Sequence, residues 1–260
     1  MNAIAVDREG RGWAVRIAGN GHLPGSSAKF GSRKKCVKGL NCSAAFLSIV
    51  DPSLKGRASL TYSGLIGGNG NDAANAVALD NFGDAFIGGE TSSTDFPITS
   101  NAVQTKYAPR QGCSLYRAAA FVTVVKPGET RPVYSTYLGG ADVIPPLNFG
   151  SQNLKPLVEF DAINAISVDG SGRIHAAGLS FAAAFPITSD AEQKQCKACT
   201  SFGSDGVVIR IKSSGAERGI SARILKLSWR CGACVLRRLC IGRGNRQLGC
   251  DLCNGSDDFE

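Results

Sequence analysis

Four cysteines near the C-terminal end carry the most specific chemical spacing in this chain. Cys231-Gly-Ala-Cys234 and Cys250-Asp-Leu-Cys253 are fifteen residues apart, which fits the C-x2-C-x15–20-C-x2-C arrangement of a zinc site. Each pair makes one tight knuckle, and four thiolates can surround zinc tetrahedrally. Against this, residues 235–249 between the knuckles show little strand pattern to hold the two together. A third pair, Cys196-Lys-Ala-Cys199, falls in a loop rather than at a strand-to-helix junction, which argues against a thioredoxin-like role. The ten cysteines suit disulfides in a secreted chain or metal chemistry equally well.

Carboxylates recur as well. Asp7, Asp80 and Asp169 each open an Asp-x-x-Gly that closes on Gly10, Gly83 or Gly172. A carboxylate in a turn can bind calcium, but that ion takes 6–8 oxygens and each turn offers one carboxylate. Ordinary turn chemistry accounts for the pattern: Asp bonds its own backbone two residues on, and Gly supplies a positive φ. The two histidines are His22, in a loop, and His175, at a strand position where the second copy has Phe86. No Ser or Cys stands beside His175 in a recognisable arrangement, so it reads as a packed or half-exposed strand residue. No catalytic or cofactor-binding residue is assigned from the sequence.

These residues sit on a repeated frame. NAVALDNFGDAFIGGETSSTDFPIT, residues 75–99, returns as NAISVDGSGRIHAAGLSFAAAFPIT, residues 164–188, and its front half opens the chain as NAIAVDREGRGWAVRIAG, residues 2–19. Repetition at this scale means one supersecondary unit used several times. Two short apolar runs joined by Asp-x-x-Gly predict a β-hairpin. Phe96-Pro97 and Phe185-Pro186 predict a loop anchored by a buried ring. A run rich in β-branched residues follows in each copy: Ala45 to Val50, Ala120 to Val125 and Gly206 to Ile211. A turn then leads to a last strand, Leu60-Thr-Tyr-Ser-Gly-Leu-Ile-Gly67-Gly68 or Val133-Tyr-Ser-Thr-Tyr-Leu-Gly139-Gly140. The sum is about four strands per unit, the count of one propeller blade.

Taken together, the Asn-Ala-x-x-x-Asp-x-x-Gly hairpin, Thr91-Ser-Ser-Thr-Asp95-Phe96-Pro97 and Tyr134-Ser-Thr-Tyr137-Leu-Gly-Gly140 resemble the SBBP-type β-propeller repeat. The resemblance covers most of residues 2–215. It implies bladed propellers in large, mostly bacterial, surface or secreted proteins, and it implies no catalytic residues. Three units, about 1–68, 69–140 and 141–215, fall short of the 4–8 blades that close a ring. The expected fold is therefore all-β: an incomplete propeller of about three four-stranded antiparallel blades. Open edges of this kind are prone to self-association. The expected function is a non-catalytic surface or extracellular scaffold, with protein or carbohydrate ligands on one loop face. Two rivals are a propeller-type lyase or hydrolase, and a zinc-binding adaptor using the terminal cysteines.

Composition narrows the class. Charged residues make up 19% and hydrophobic ones 43%, with 32 glycines, as in a turn-rich globular β protein. No apolar run reaches the roughly 18 residues of a membrane helix. The first residues show no charged stretch followed by an apolar core, so no signal peptide is expected here, while a full-length parent is expected at the cell surface. The net charge of +8 is concentrated in residues 29–38 and 218–246. Neither cluster carries a nucleic-acid-binding module, and solvated loop or tail is the plainer reading. After Gly215 the repeat pattern lapses into a basic, cysteine-rich tail, residues 216–260, with no second Tyr-Ser-Thr-Tyr. The sequence predicts that this tail is disordered or read out of frame.

Overall fold

The computed structural model describes residues 1–19, 28–30, 43–107, 116–126, 129–139, 147–149, 152–154, 158–182, 185–186, 188–189, 191, 204–213 and 220–225. Fifteen strands and one short 3-10 turn, Gly56–Ser59, make up its regular structure, so the fold is all-β. All ten cysteines, including Cys231, Cys234, Cys250 and Cys253, lie outside the described residues.

Three antiparallel meanders dominate. The first runs β1 (Ala3–Val6), β2 (Gly12–Gly19), β4 (Ser43–Val50) and β5 (Leu60–Ile66). The second runs β6 (Asp72–Leu79), β7 (Ala85–Thr91), β8 (Tyr116–Val125) and β9 (Tyr134–Leu138). The third runs β12 (Val158–Val168), β13 (Ile174–Ser180), β14 (Asp205–Ser213) and β15 (Ile220–Leu225). Three smaller strands were not visible in the sequence. β3 (Ala28–Phe30) pairs parallel to β5, and β10 (Leu147–Phe149) pairs with β11 (Gln152–Leu154).

Two details depart from the sequence reading. The third meander does have a fourth strand: Ile220–Leu225 pairs antiparallel with β14 in the register Ile211↔Ala222 and Arg210↔Arg223. It lacks Tyr-Ser-Thr-Tyr and reads Ile-Ser-Ala-Arg-Ile-Leu instead; the otherwise unpaired edge of β14 is what recruits it into the sheet. The meanders are also not wholly separate sheets. Val158–Phe160 pairs parallel with Tyr116–Ala118, which links the second and third meanders into one hydrogen-bonded path.

Cross-strand rows explain how the meanders stack. Residues directly opposite each other share a face of the sheet. In the first meander one face carries the row Ala5, Trp13, Ile49 and Tyr62. The same row in the second is Ala78, Phe86, Val124 and Tyr134. Trp13, Val15, Leu47 and Ile49 form one buried cluster with Val77, Ile87 and Val125 of the next meander. Phe86, Val122 and Val124 form the second cluster with Ile174, Ile209 and Ile211 of the third. The core is thus two apolar layers between three sheets. Burial of each Val, Ile or Phe side chain contributes roughly 1.5–3 kcal/mol.

The first strands lie side by side, β1 against β6 and β6 against β12. A bulge marks the same place in two of them. Asn75 is the extra residue between the pairs Ala74↔Gly89 and Ala76↔Gly88, and Asn164 between Ile163↔Gly178 and Ala165↔Ala177. The bulge explains the repeated glycines. A Cβ on Gly89 would stand 2.0 Å from the Ala73 carbonyl oxygen, and one on Gly178 1.9 Å from that of Ala162. Ile163 of the third meander packs where a Cβ on Gly88 would be, 2.4 Å from its Cγ2.

Candidate functional site

The repeated Asp-x-x-Gly turns fold as turn chemistry requires. Gly10, Gly83 and Gly172 have φ of 78°, 82° and 74°. In each turn the Asp Oδ1 accepts two backbone N–H groups: Glu9 and Arg11 on Asp7, Phe82 and Asp84 on Asp80, Ser171 and Arg173 on Asp169. The second carboxylate oxygen separates the copies. Asp7 Oδ2 accepts from Arg11 Nε at 2.7 Å and from Trp13 Nε1 at 2.8 Å. Asp169 Oδ2 accepts from Arg173 Nε at 2.6 Å and lies 3.2 Å from His175 Nε2. These bonds outweigh the upward push of burial and hold both carboxyls below the usual carboxylate range. His175 is half-exposed, with a place in the turn equivalent to that of the Trp13 indole.

The middle turn is built differently. Asp84 stands where the others have arginine, and Phe86 stands where they have an indole or imidazole. No described residue donates a hydrogen bond to Asp80 Oδ2. This turn and the Gly170–Gly172 turn of the third meander border a cavity of about 490 Å³, lined among others by Asp80, Phe82, Asp84, Phe86, Lys126 and Tyr134. Phe82, at the turn tip, is 88% exposed. A polar ligand with an apolar face fits: carboxylates accept from hydroxyls, and the ring offers a flat surface.

A second polar cluster, missed from the sequence, lies at the opposite ends of the strands. Asp72 is 1% exposed and sits at the start of β6. It accepts from Thr91 Oγ1, from Ser93 Oγ at 2.8 and 2.9 Å, and from the Gly68 N–H at 3.0 Å. Burial pushes its carboxyl up to about 6; the hydrogen bonds from Thr91, Gly68 and Ser93 oppose that, and the nearby Asp95 adds to it. Asp161, 3% exposed, takes the equivalent place in the third meander and accepts from the Phe181 N–H. The signal was present as Asp72-Ala-Ala-Asn75 and Asp161-Ala-Ile-Asn164, three residues ahead of each bulge. The tight fit of Gly67 over Asp72 and Gly139 over Asp161, where a Cβ would stand 2.3 and 3.0 Å from Oδ2, explains why the first two units end in glycine.

The phenylalanine anchors hold as the sequence predicts. Phe96 and Phe185 are each 4% exposed. The Phe96 ring lies 4.6 Å from that of Phe121 and 6.1 Å from that of Tyr137, centroid to centroid. Tyr137 Oη accepts the Phe96 N–H at 3.0 Å and donates to the Ser93 carbonyl at 2.8 Å. Tyr-Ser-Thr-Tyr and Thr-Ser-Ser-Thr-Asp-Phe-Pro are therefore two halves of one clamp. The loop continues along β9, bonding Ser135, Thr136 and Tyr137 through Thr99 and Gln104. It covers the outer edge of that strand, the part of a sheet most open to unwanted pairing.

Among the described residues no group of three or more His, Cys, Asp or Glu is placed to hold a metal ion. The zinc candidates Cys231, Cys234, Cys250 and Cys253 fall outside them. No described helix is long and apolar enough to cross a membrane. No family model matches this sequence, and no curated protein matches it.

Proposed function

We propose that this chain is a non-catalytic β-propeller repeat module of the SBBP type, part of a surface or extracellular scaffold, that binds carbohydrate between its second and third turns. Three meanders with equivalent rows stacked on equivalent rows support reading them as blades. The observation that carries the ligand assignment is the altered middle turn. There Asp84 and Phe86 replace the donors that occupy Asp7 and Asp169, and Asp80 keeps an oxygen for a ligand beside the exposed Phe82. Few polar groups converging beside aromatic rings in a concave site are the usual make-up of a small-ligand pocket. A lyase or hydrolase would need an acid and a base converging from several blades. Asp7 and Asp169, two of the three repeated carboxylates, are saturated by their own turns, which favours binding over catalysis.

The test is a soluble oligosaccharide panel read by titration calorimetry. A glycan should bind, and Phe82→Ala should weaken it at least tenfold without moving the thermal midpoint; Asp80→Asn, which keeps the Oδ1 that accepts the Phe82 and Asp84 N–H groups and alters only the second oxygen, should weaken it at least tenfold as well. Binding that survives both substitutions, or no binding across the panel, would overturn the carbohydrate assignment.

A further inference from the structure

The two ends of the stack differ in chemistry. At the first meander the outward face carries Val6, Gly12 and Val50 in one row, with Ile4 in the next. Ile4, Val6 and Val50 are 59%, 65% and 41% exposed. Their equivalents in the second meander are Val77, Leu79 and Val125, which sit in or against the first apolar layer. In the third they are Ile166, Val168 and Ile211, which sit in or against the second. This face is therefore covered twice within the chain, each time by a row of small, aromatic, branched and Tyr residues, and at the first meander it is open.

At the other end the covering row has changed. Ser167, His175, Arg210 and Arg223 occupy the register positions of Ala78, Phe86, Val124 and Tyr134. His175 and Arg210 are only half-buried there. Seating that row against Ile4 and Val6 would strip the remaining water from the Arg210 guanidinium with an apolar surface opposite, an unfavourable burial of charge. A second copy of this chain is thus a poor cover for the open face.

We infer that the Ile4, Val6 and Val50 face is a docking surface for a further β-meander of the same repeat, one presenting an apolar aromatic row, and that Ser167, His175, Arg210 and Arg223 terminate the stack at its other end. This rests on the stacked-blade reading and narrows the open-edge association expected from the sequence to one end. Terminal units of repeat arrays carry polar outer faces for the same reason.

The experiment supplies the missing row on the full chain itself. A probe chain carries Ser167→Ala, His175→Phe, Arg210→Val and Arg223→Tyr, together with Val6→Asp to disable its own docking face. The wild type alone and the probe alone should each sediment as monomers. Mixed in equal amounts they should form a complex of twice the mass, and wild type bearing Val6→Asp should not be captured. If the four-site probe fails to unfold cooperatively, the His175→Phe and Arg210→Val pair with Val6→Asp replaces it, with weaker capture expected. Head-to-tail oligomers of the wild type that Arg210→Glu dissolves, or a folded probe that captures nothing, would overturn the inference. Glycan binding through Phe82 and Asp80 is read separately, so neither failure can be mistaken for the other.

Discussion

Tyr137→Phe should destabilise the fold far more than Tyr134→Phe, although both tyrosines belong to the same four-residue motif and both are 1% exposed. The substitution removes one oxygen and keeps the ring. At Tyr137 that oxygen accepts the Phe96 N–H and donates to the Ser93 carbonyl, both buried bonds. Each net bond is worth about 1 kcal/mol, and each backbone group left buried without a partner costs about 1–3 kcal/mol. The expected loss is roughly 2–4 kcal/mol, or about 5–15 °C in thermal midpoint for a domain of this size. At Tyr134 the buried hydroxyl makes no well-aligned hydrogen bond, only weaker contacts with Thr136 and the Val103 backbone, so its removal should cost less than about 1 kcal/mol. Guanidinium unfolding followed by tyrosine and tryptophan fluorescence gives both values in one series. Equal effects, or a loss below about 0.5 kcal/mol at Tyr137, would refute the clamp.

Three further outcomes follow from the same structure. Phe96→Ala and Phe185→Ala should each lower stability by about 3–5 kcal/mol in denaturant titrations, as truncation of a buried ring does; an unchanged midpoint for either would remove its role as anchor. Gly89→Ala and Gly178→Ala place a Cβ about 2 Å from a carbonyl oxygen and should cost more than about 3 kcal/mol. Gly170→Ala, which meets nothing within 4 Å, should change stability by less than about 0.5 kcal/mol. Asp72 titrates near 6 in the fold against 3.8 unfolded, so the native state binds the extra proton between those values. Its contribution therefore improves as pH falls from about 7 to about 4.5, by roughly 2 kcal/mol, and is lost as pH rises through about 6. The carboxyls of Asp7 and Asp169 act in the opposite sense only below about pH 4. Stability that falls steadily from pH 7 to 4.5, or a profile unchanged in Asp72→Asn, would contradict the assignment.

Much of the fold could be read from the chain because its signals are local. Asp-x-x-Gly closes a hairpin within five residues, and the branched runs at β4, β8 and β14 announce buried strands wherever they stand. The anchors Phe96 and Phe185 were legible for the same reason: a ring before proline in a polar loop has few uses other than burial. What was not legible depended on partners distant in sequence. Nothing about Asp72 alone distinguishes it from a surface carboxylate; its meaning comes from Thr91 and Ser93, brought beside it by the β7 pairing. Tyr137 looks like a strand residue until its hydroxyl meets a loop forty residues earlier. The β15 strand was missed because Ile220–Leu225 shares no motif with β9, and sheet extension asks only for a compatible edge. The altered middle turn was the inverse case. Asp84 and Phe86 were in plain view, but their significance appeared only when Arg11, Trp13, Arg173 and His175 were seen to occupy the matching carboxylates.

The stacking of equivalent faces underlies the blade reading, the ligand cavity and the docking surface alike. It predicts that the Ile163 Cγ2 methyl lies directly over Gly88 on the neighbouring meander. A methyl-selective nuclear Overhauser measurement on protein labelled at isoleucine methyls and glycine Hα reads that contact without any substitution. A strong cross-peak between Ile163 Cγ2 and Gly88 Hα is the expected result. Its absence, with intrasheet cross-peaks such as those across the Ile166↔Ala176 pair still present, would mean that the meanders fold but do not stack in this way.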